Sequence, residues 1–221
     1  MAHHEGLVAG LAAALVLSSS LAASAGEPAA HHLIYLHGRI VQERQSARPK
    51  SAEFGYYELD QIVETFKKRG FVVTNGIRPK AASLDESAAR VVDQVHELLA
   101  AGVPASRIAV VGASMGSAIA LRASLRLQNA DVSFSLLGAC MSMNVPELLA
   151  EYGQRPAGRI LAIREKSDEM SEPCPPWTDD TRSRATLTVR ELVTETGLRH
   201  GFLYRPLPEW VEPVVEWSTR R

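Results

Sequence analysis

Short, wholly apolar runs alternate along this chain with longer stretches whose apolar residues recur every three or four positions. Leu33-Ile34-Tyr35-Leu36, Phe71-Val72-Val73, Ile108-Ala109-Val110-Val111, Phe134 to Leu137 and Ile160 to Ile163 are the runs. Leu187 to Val189 is a sixth candidate. A strand apolar on both faces must be covered on both, which calls for a parallel sheet between layers of helix. Leu59, Ile62, Val63 and Phe66 stand at helical spacing, and Gly70 stops that helix. Ser83-x-x-Glu86 is a capping box opening a helix whose apolar face is Val91, Val92, Val95, Leu98 and Leu99, ended by Gly102. An Ala- and Leu-rich helix follows the third run, to about Gln128. Trp210, Val214 and Trp217 mark a last helix, which Pro213 should kink or divide. Residues 41–56 are polar and contain Pro49 and Gly55, and read as a long loop. The fold class is therefore α/β: a mostly parallel sheet of about six strands, helices on both faces, right-handed crossovers.

The first 25 residues stand outside this pattern. Leu7 to Leu17 is a charge-free apolar run of 11 residues, too short for a bilayer, which takes about 20. Ala23-Ser24-Ala25 follows as an A-x-A cleavage pattern. Residues 1–25 read as a secretory signal peptide, although the segment before the run carries His3 and His4 rather than Lys or Arg. The expectation is an exported protein, periplasmic or secreted, with residues 26–221 as a single domain and no membrane span in the mature chain. Twenty-four basic and 25 acidic residues give a net charge of −1, which removes any general electrostatic case for nucleic acid. It also implies no preference for charged substrates. Two cysteines without a CxxC exclude zinc-ribbon and thioredoxin-type sites, and no metal or cofactor is called for.

Gly112-Ala113-Ser114-Met115-Gly116 matches G-x-S-x-G. The pentapeptide sits directly between an apolar strand and a helix, where a sharp turn can raise a serine at the carboxyl end of a sheet. Gly112 and Gly116 supply the small flanks such an elbow needs. A serine nucleophile needs a base, and the base needs an orienting acid. In strand-turn-helix sites of this kind the order along the chain is Ser, acid, His. Of seven histidines His200 alone follows Ser114, in a loop before the last helix. His96 lies mid-helix and reads as surface. Asp168, just beyond the run Ile160 to Ile163, is the preferred acid, with Glu165, Glu169, Asp179 and Asp180 as rivals. An oxyanion needs two backbone donors. Met115 N–H is one, and Arg39 N–H, after the first run, is the other. His37 and Gly38 shape that loop.

In this order, the His37-Gly38 loop, the Gly112 to Gly116 elbow, Asp168 and His200 resemble the α/β-hydrolase superfamily, over about residues 32–220. The resemblance is to compact bacterial members similar to esterases and lipases. It implies a three-layer sandwich with Ser114 as nucleophile, His200 as base and then acid, and Asp168 as orienter. The chain departs from the family in lacking an HGGG oxyanion loop and the first two antiparallel strands. About twenty residues separate Leu137 from Ile160, which leaves no room for a large cap domain. The function so implied is cleavage of a small-molecule carboxylic ester or thioester through an acyl-enzyme, without a cofactor. A non-catalytic binding protein on this fold, or a peptidase or C–C hydrolase on the same triad, are the competing readings. Cys140 and Cys174 each lie just past a strand end and could form one disulfide in an exported protein. Phe54, Tyr56, Tyr57 and Trp177 are candidates to line an acyl pocket. The oligomeric state is not written in the sequence.

Overall fold

Apolar runs become strands here because each pairs with a parallel neighbour, the inner four on both sides. The computed structural model describes Met1, residues 30–138, Cys140, residues 145–174 and residues 185–220. Residues 2–25 of the expected leader, together with Trp177, Asp179 and Asp180, lie outside the described residues. Six strands form one sheet: β1 (His31–Leu36), β4 (Phe71–Thr74), β5 (Ile108–Ala113), β6 (Ser133–Leu137), β7 (Gly158–Glu165) and β8 (Leu187–Thr194). Their order is β4-β1-β5-β6-β7-β8, and every pairing is parallel. The run beginning at Leu187 is thus a full eight-residue edge strand.

Alternation along each strand divides the core in two. Leu33, Tyr35, Val111, Leu161 and Ile163 face one layer, with α2 (Leu59–Lys68) and the last helix, α6 (Pro208–Thr219). Ile34, Leu36, Val110, Phe134 and Ile160 face the other, with α3 (Leu84–Ala100), α4 (Met115–Leu127) and α5 (Val145–Tyr152). The capping box is formed, with Ser83 accepting from the Glu86 N–H and Glu86 accepting from the Ser83 N–H. Among the described residues the β6–β7 connection holds only α5, so the fold is a compact sandwich without a cap domain.

Strand order positions the site. From β1 the chain runs through α2 to β4 at one edge; from β5 it runs through α4 to β6 on the other side. Neighbouring strands β1 and β5 therefore send their chains to opposite faces, leaving a crevice at their carboxyl ends where α/β sheets bind ligands. Leu36 pairs with Gly112, which sets the His37-Gly38 loop beside Ser114.

Two local expectations are corrected. Residues 41–56 are not one loop: α1 (Arg39–Arg44) and a hairpin of β2 (Lys50–Ser51) with β3 (Gly55–Tyr56) occupy most of that stretch. Pro213 does not divide α6, which runs from Pro208 to Thr219. Pro213 cannot donate to the carbonyl four residues back, while the buried residues Trp210, Val211 and Val214 hold the helix on both sides of it.

Candidate active site

Ser114 stands at the turn from β5 into α4 with φ 55° and ψ −119°, a conformation costly for a non-glycine residue. The surroundings over-determine it. Its N–H donates to the Leu137 carbonyl at 2.9 Å. The Ser117 hydroxyl lies 2.8 Å from the Gly112 carbonyl and 2.7 Å from that of Leu137, pinning the turn to β6. A Cβ at Gly112 would collide with the Gly116 carbonyl, and one at Gly116 with the Leu36 carbonyl. Both glycines are required by close packing rather than by positive φ. Gly38 is different: a Cβ there would rest 3.6 Å from that of Ser114, an ordinary contact.

The structure brings Ser114, His200 and Asp168 into one hydrogen-bonded chain. His200, buried in the 3₁₀ turn Arg199–Tyr204, reaches Ser114 Oγ through Nε2 at 3.0 Å and Asp168 Oδ2 through Nδ1 at 2.7 Å. Asp168 is also buried, and its second oxygen accepts from the Met170 N–H at 3.1 Å, which fixes the plane of the carboxylate. Phe54 of the hairpin packs against His200, with ring centroids 6.2 Å apart, and Glu53 pairs with Arg199. The hairpin thus clamps the turn that carries the histidine.

The two rival acids among the described residues, Glu169 and Glu165, are engaged elsewhere. Glu169 is exposed and lies 3.9 Å from Arg199. Glu165, fully buried, accepts from the N–H and hydroxyl of Ser167, the Thr194 hydroxyl, the N–H and hydroxyl of Thr196, and the Gly197 N–H, all within 2.8–3.3 Å. Burial pushes its carboxyl up, but the bonds from Thr196 and Ser167 outweigh that and hold it at about 2. Glu165 ties the end of β7, which carries Asp168, to the end of β8, which leads to His200.

Arg39 and Met115 are the first residues of α1 and α4, so their N–H groups have no carbonyl within their own helix. Both residues line the cleft at Ser114. Behind them lies a network that sequence reasoning missed. His37 is buried, and its Nε2 accepts the Arg78 N–H at 3.1 Å. Its Nδ1 therefore donates to the Gly38 carbonyl at 2.9 Å. Burial first, and the Arg78 charge second, push its pKa down to about 4, so the ring is neutral and shapes the loop. Arg78 Nη2 donates to the His37 carbonyl at 2.6 Å, and Nε to Gln42 at 2.9 Å. Tyr57, packed under Gly38, shares a hydroxyl contact of 2.8 Å with Tyr35.

The cleft measures about 800 Å³ and is lined by Gly38, Ser114, Met115, Phe54, Tyr57 and His200 among others. Tyr56 instead is exposed under the Arg48 guanidinium at 4.0 Å, outside the cleft. Cys140 and Cys174 are joined in a disulfide, with Cα atoms 5.0 Å apart. Among the described residues no group of His, Cys, Asp and Glu could hold a metal ion, and no helix is long and apolar enough to cross a membrane.

No protein-family model matches the chain, and no curated protein matches it by sequence. Solved structures do. Arabidopsis thaliana SOBER1 matches 87% of this chain with 100% of its own, at TM-score 0.53 and 13% identity. The Pyrococcus furiosus esterase Pf2001 matches 85% of this chain with 81% of its own, at TM-score 0.50 and 16% identity. DcsB, solved with a substrate analogue, matches 87% of this chain with 90% of its own, at TM-score 0.51 and 12% identity. At such identities the likeness is one of fold, and the fold is that of the α/β hydrolases.

Proposed function

We propose that this protein is a serine hydrolase that cleaves a carboxylic ester, thioesters included, through an acyl-enzyme. The observation that carries this reading is the unbroken hydrogen-bonded chain from Ser114 Oγ through His200 to Asp168, opening into a cleft. His200 Nε2 takes the Ser114 proton as Oγ attacks the carbonyl carbon. Asp168 holds Nδ1–H and so keeps Nε2 free to accept, and it stabilises the imidazolium that forms. The tetrahedral oxyanion lies against the Met115 and Arg39 N–H groups, at the positive ends of their helix turns. His200 then gives its proton to the leaving alcohol or thiol. Water enters, loses a proton to Nε2 and attacks the acyl carbon. Collapse releases the acid and returns the proton to Ser114. The strained backbone of Ser114 holds the half-buried side chain in the wall of the cleft, pre-aimed, so little reorganisation precedes attack.

A fluorophosphonate probe tests this directly, because it reacts only with an activated serine. The wild-type protein is expected to label at Ser114 and to turn over p-nitrophenyl acetate or butyrate. Ser114→Ala is expected to lose both while keeping its circular dichroism spectrum and thermal midpoint. A folded wild-type protein that neither labels nor hydrolyses any ester would establish the binding-protein reading instead. The leader and the disulfide together support export to an oxidising compartment, periplasmic or extracellular.

A further inference from the structure

The charge of this chain is not evenly spread, and the cleft is where the imbalance falls. Its charged lining consists of Arg39, Glu43, Arg44 and Lys50, three cations against one anion, in a chain whose net charge is −1. All four side chains are exposed. Among the described residues none of the three cations is in an ion pair. Other cations of the same neighbourhood are neutralised: Arg48 pairs with Glu58 and Arg199 with Glu53. The cations that line the cleft are thus left without a carboxylate partner.

Its placement is ordered. Arg39 opens α1 beside the nucleophile, and Arg44 closes that helix five positions on, roughly 7 Å along its axis. Lys50 lines the cleft from β2, its ammonium 5.5 Å from the ring of its cross-strand partner Tyr56 at the outer side of the hairpin, so Arg44 and Lys50 come from separate walls, helix and hairpin. The lining that they share with Ser114 also includes the apolar side chains of Ile40, Phe54, Met115, Ala118 and Leu203. An occupant would need an apolar stretch next to its reacting carbonyl and an anionic group several bonds away. Low-dielectric walls beside the cations strengthen their attraction for such a group, and a guanidinium suits a carboxylate or phosphate in particular.

We propose that the cleft selects esters bearing an anionic group several bonds from the scissile carbonyl, held at its mouth by Arg44 and Lys50. The proposal rests on Ser114 being the nucleophile of this cleft. It replaces the expectation, drawn from net charge alone, of no electrostatic preference.

The test compares esters matched in length. Mono-p-nitrophenyl adipate and suberate carry a terminal carboxylate on the acyl side, and p-nitrophenyl hexanoate and octanoate are their neutral counterparts. The phenolic butyrate of 4-hydroxybenzoate, against that of its methyl ester, puts the charge on the alcohol side. For wild-type protein at low ionic strength, the anionic member of at least one series is expected to have kcat/KM about tenfold higher. That ratio should shrink several-fold in 0.5 M sodium chloride, where screening shortens to a few ångströms. In the double variant Arg44→Gln/Lys50→Gln the ratio should fall to about one, and labelling by an uncharged fluorophosphonate reports whether its Ser114 is still reactive. Wild-type protein that labels and hydrolyses the neutral esters, yet prefers no anionic one, overturns this proposal and leaves the hydrolase reading standing. Absence of both labelling and turnover overturns the hydrolase reading, and this one with it.

Discussion

Asp168 and Glu165 stand three positions apart at the end of β7, both buried, and their partners separate them. Asp168 meets the imidazole, whereas Glu165 accepts six hydrogen bonds and never reaches His200. Opposite signatures are expected from their neutral isosteres. Asp168→Asn keeps the shape but offers an amide to Nδ1 and holds the wrong tautomer, which should lower kcat by about 10⁴ with little change in stability. Glu165→Gln sets an NH₂ against backbone and hydroxyl donors in a dry site. It should cost about 2–4 kcal/mol of stability and less than tenfold in kcat. Urea denaturation beside steady-state kinetics on both variants checks this. A Glu165→Gln protein of normal stability and 10⁴-fold lower kcat would make Glu165 the orienting acid.

Among the elements, the disulfide joins the segment after β6 to the segment after the Asp168 turn, across a separation of 34 residues. Closing a loop of that length stabilises by about 3–4 kcal/mol in the chain-entropy model, which for a chain of this size is roughly 10 °C in the unfolding midpoint. A thiol reductant should therefore lower the midpoint of the wild-type protein by that amount and leave Cys140→Ser/Cys174→Ser unmoved. Asp168 should stay in place without the bridge, because Ser171 donates to the Gly138 carbonyl and Glu165 still holds the turn. Equal midpoints with and without reductant would show that the bridge adds no stability. At this scale much could be read in advance. The strands and long helices follow from local apolar periods, and Ser114, Asp168 and His200 from chain order and strand ends. Six-residue α1 and two-residue strands β2 and β3 carry no such period, so residues 41–56 looked structureless. The roles of Glu165 and Arg78 were hidden for another reason: their partners, Thr196 and His37, lie 31 and 41 positions away and are brought near only by the sheet.

For the whole molecule, acid is the natural stress. His37 ordinarily titrates at 6.5, and in the folded protein it is held down to about 4. Between those values the unfolded chain takes up a proton that the folded chain refuses, so stability falls as pH falls from 6.5 toward 4. At about 1.4 kcal/mol per pH unit, that window removes on the order of 3 kcal/mol. Glu165, held at about 2 against an ordinary 4.5, continues the loss at lower pH with the same sign. The first window belongs to the loop that carries Arg39: a protonated His37 could no longer accept the Arg78 N–H and would set a second cation beside that guanidinium. His37→Asn removes this titration while keeping a donor for the Gly38 carbonyl. The variant should be less stable than wild type at pH 7, where Arg78 N–H has lost its acceptor. Its urea midpoint should then fall less steeply between pH 6.5 and 4.5, so that the two curves converge. Parallel curves across that window would mean that His37 is not held neutral by burial and Arg78.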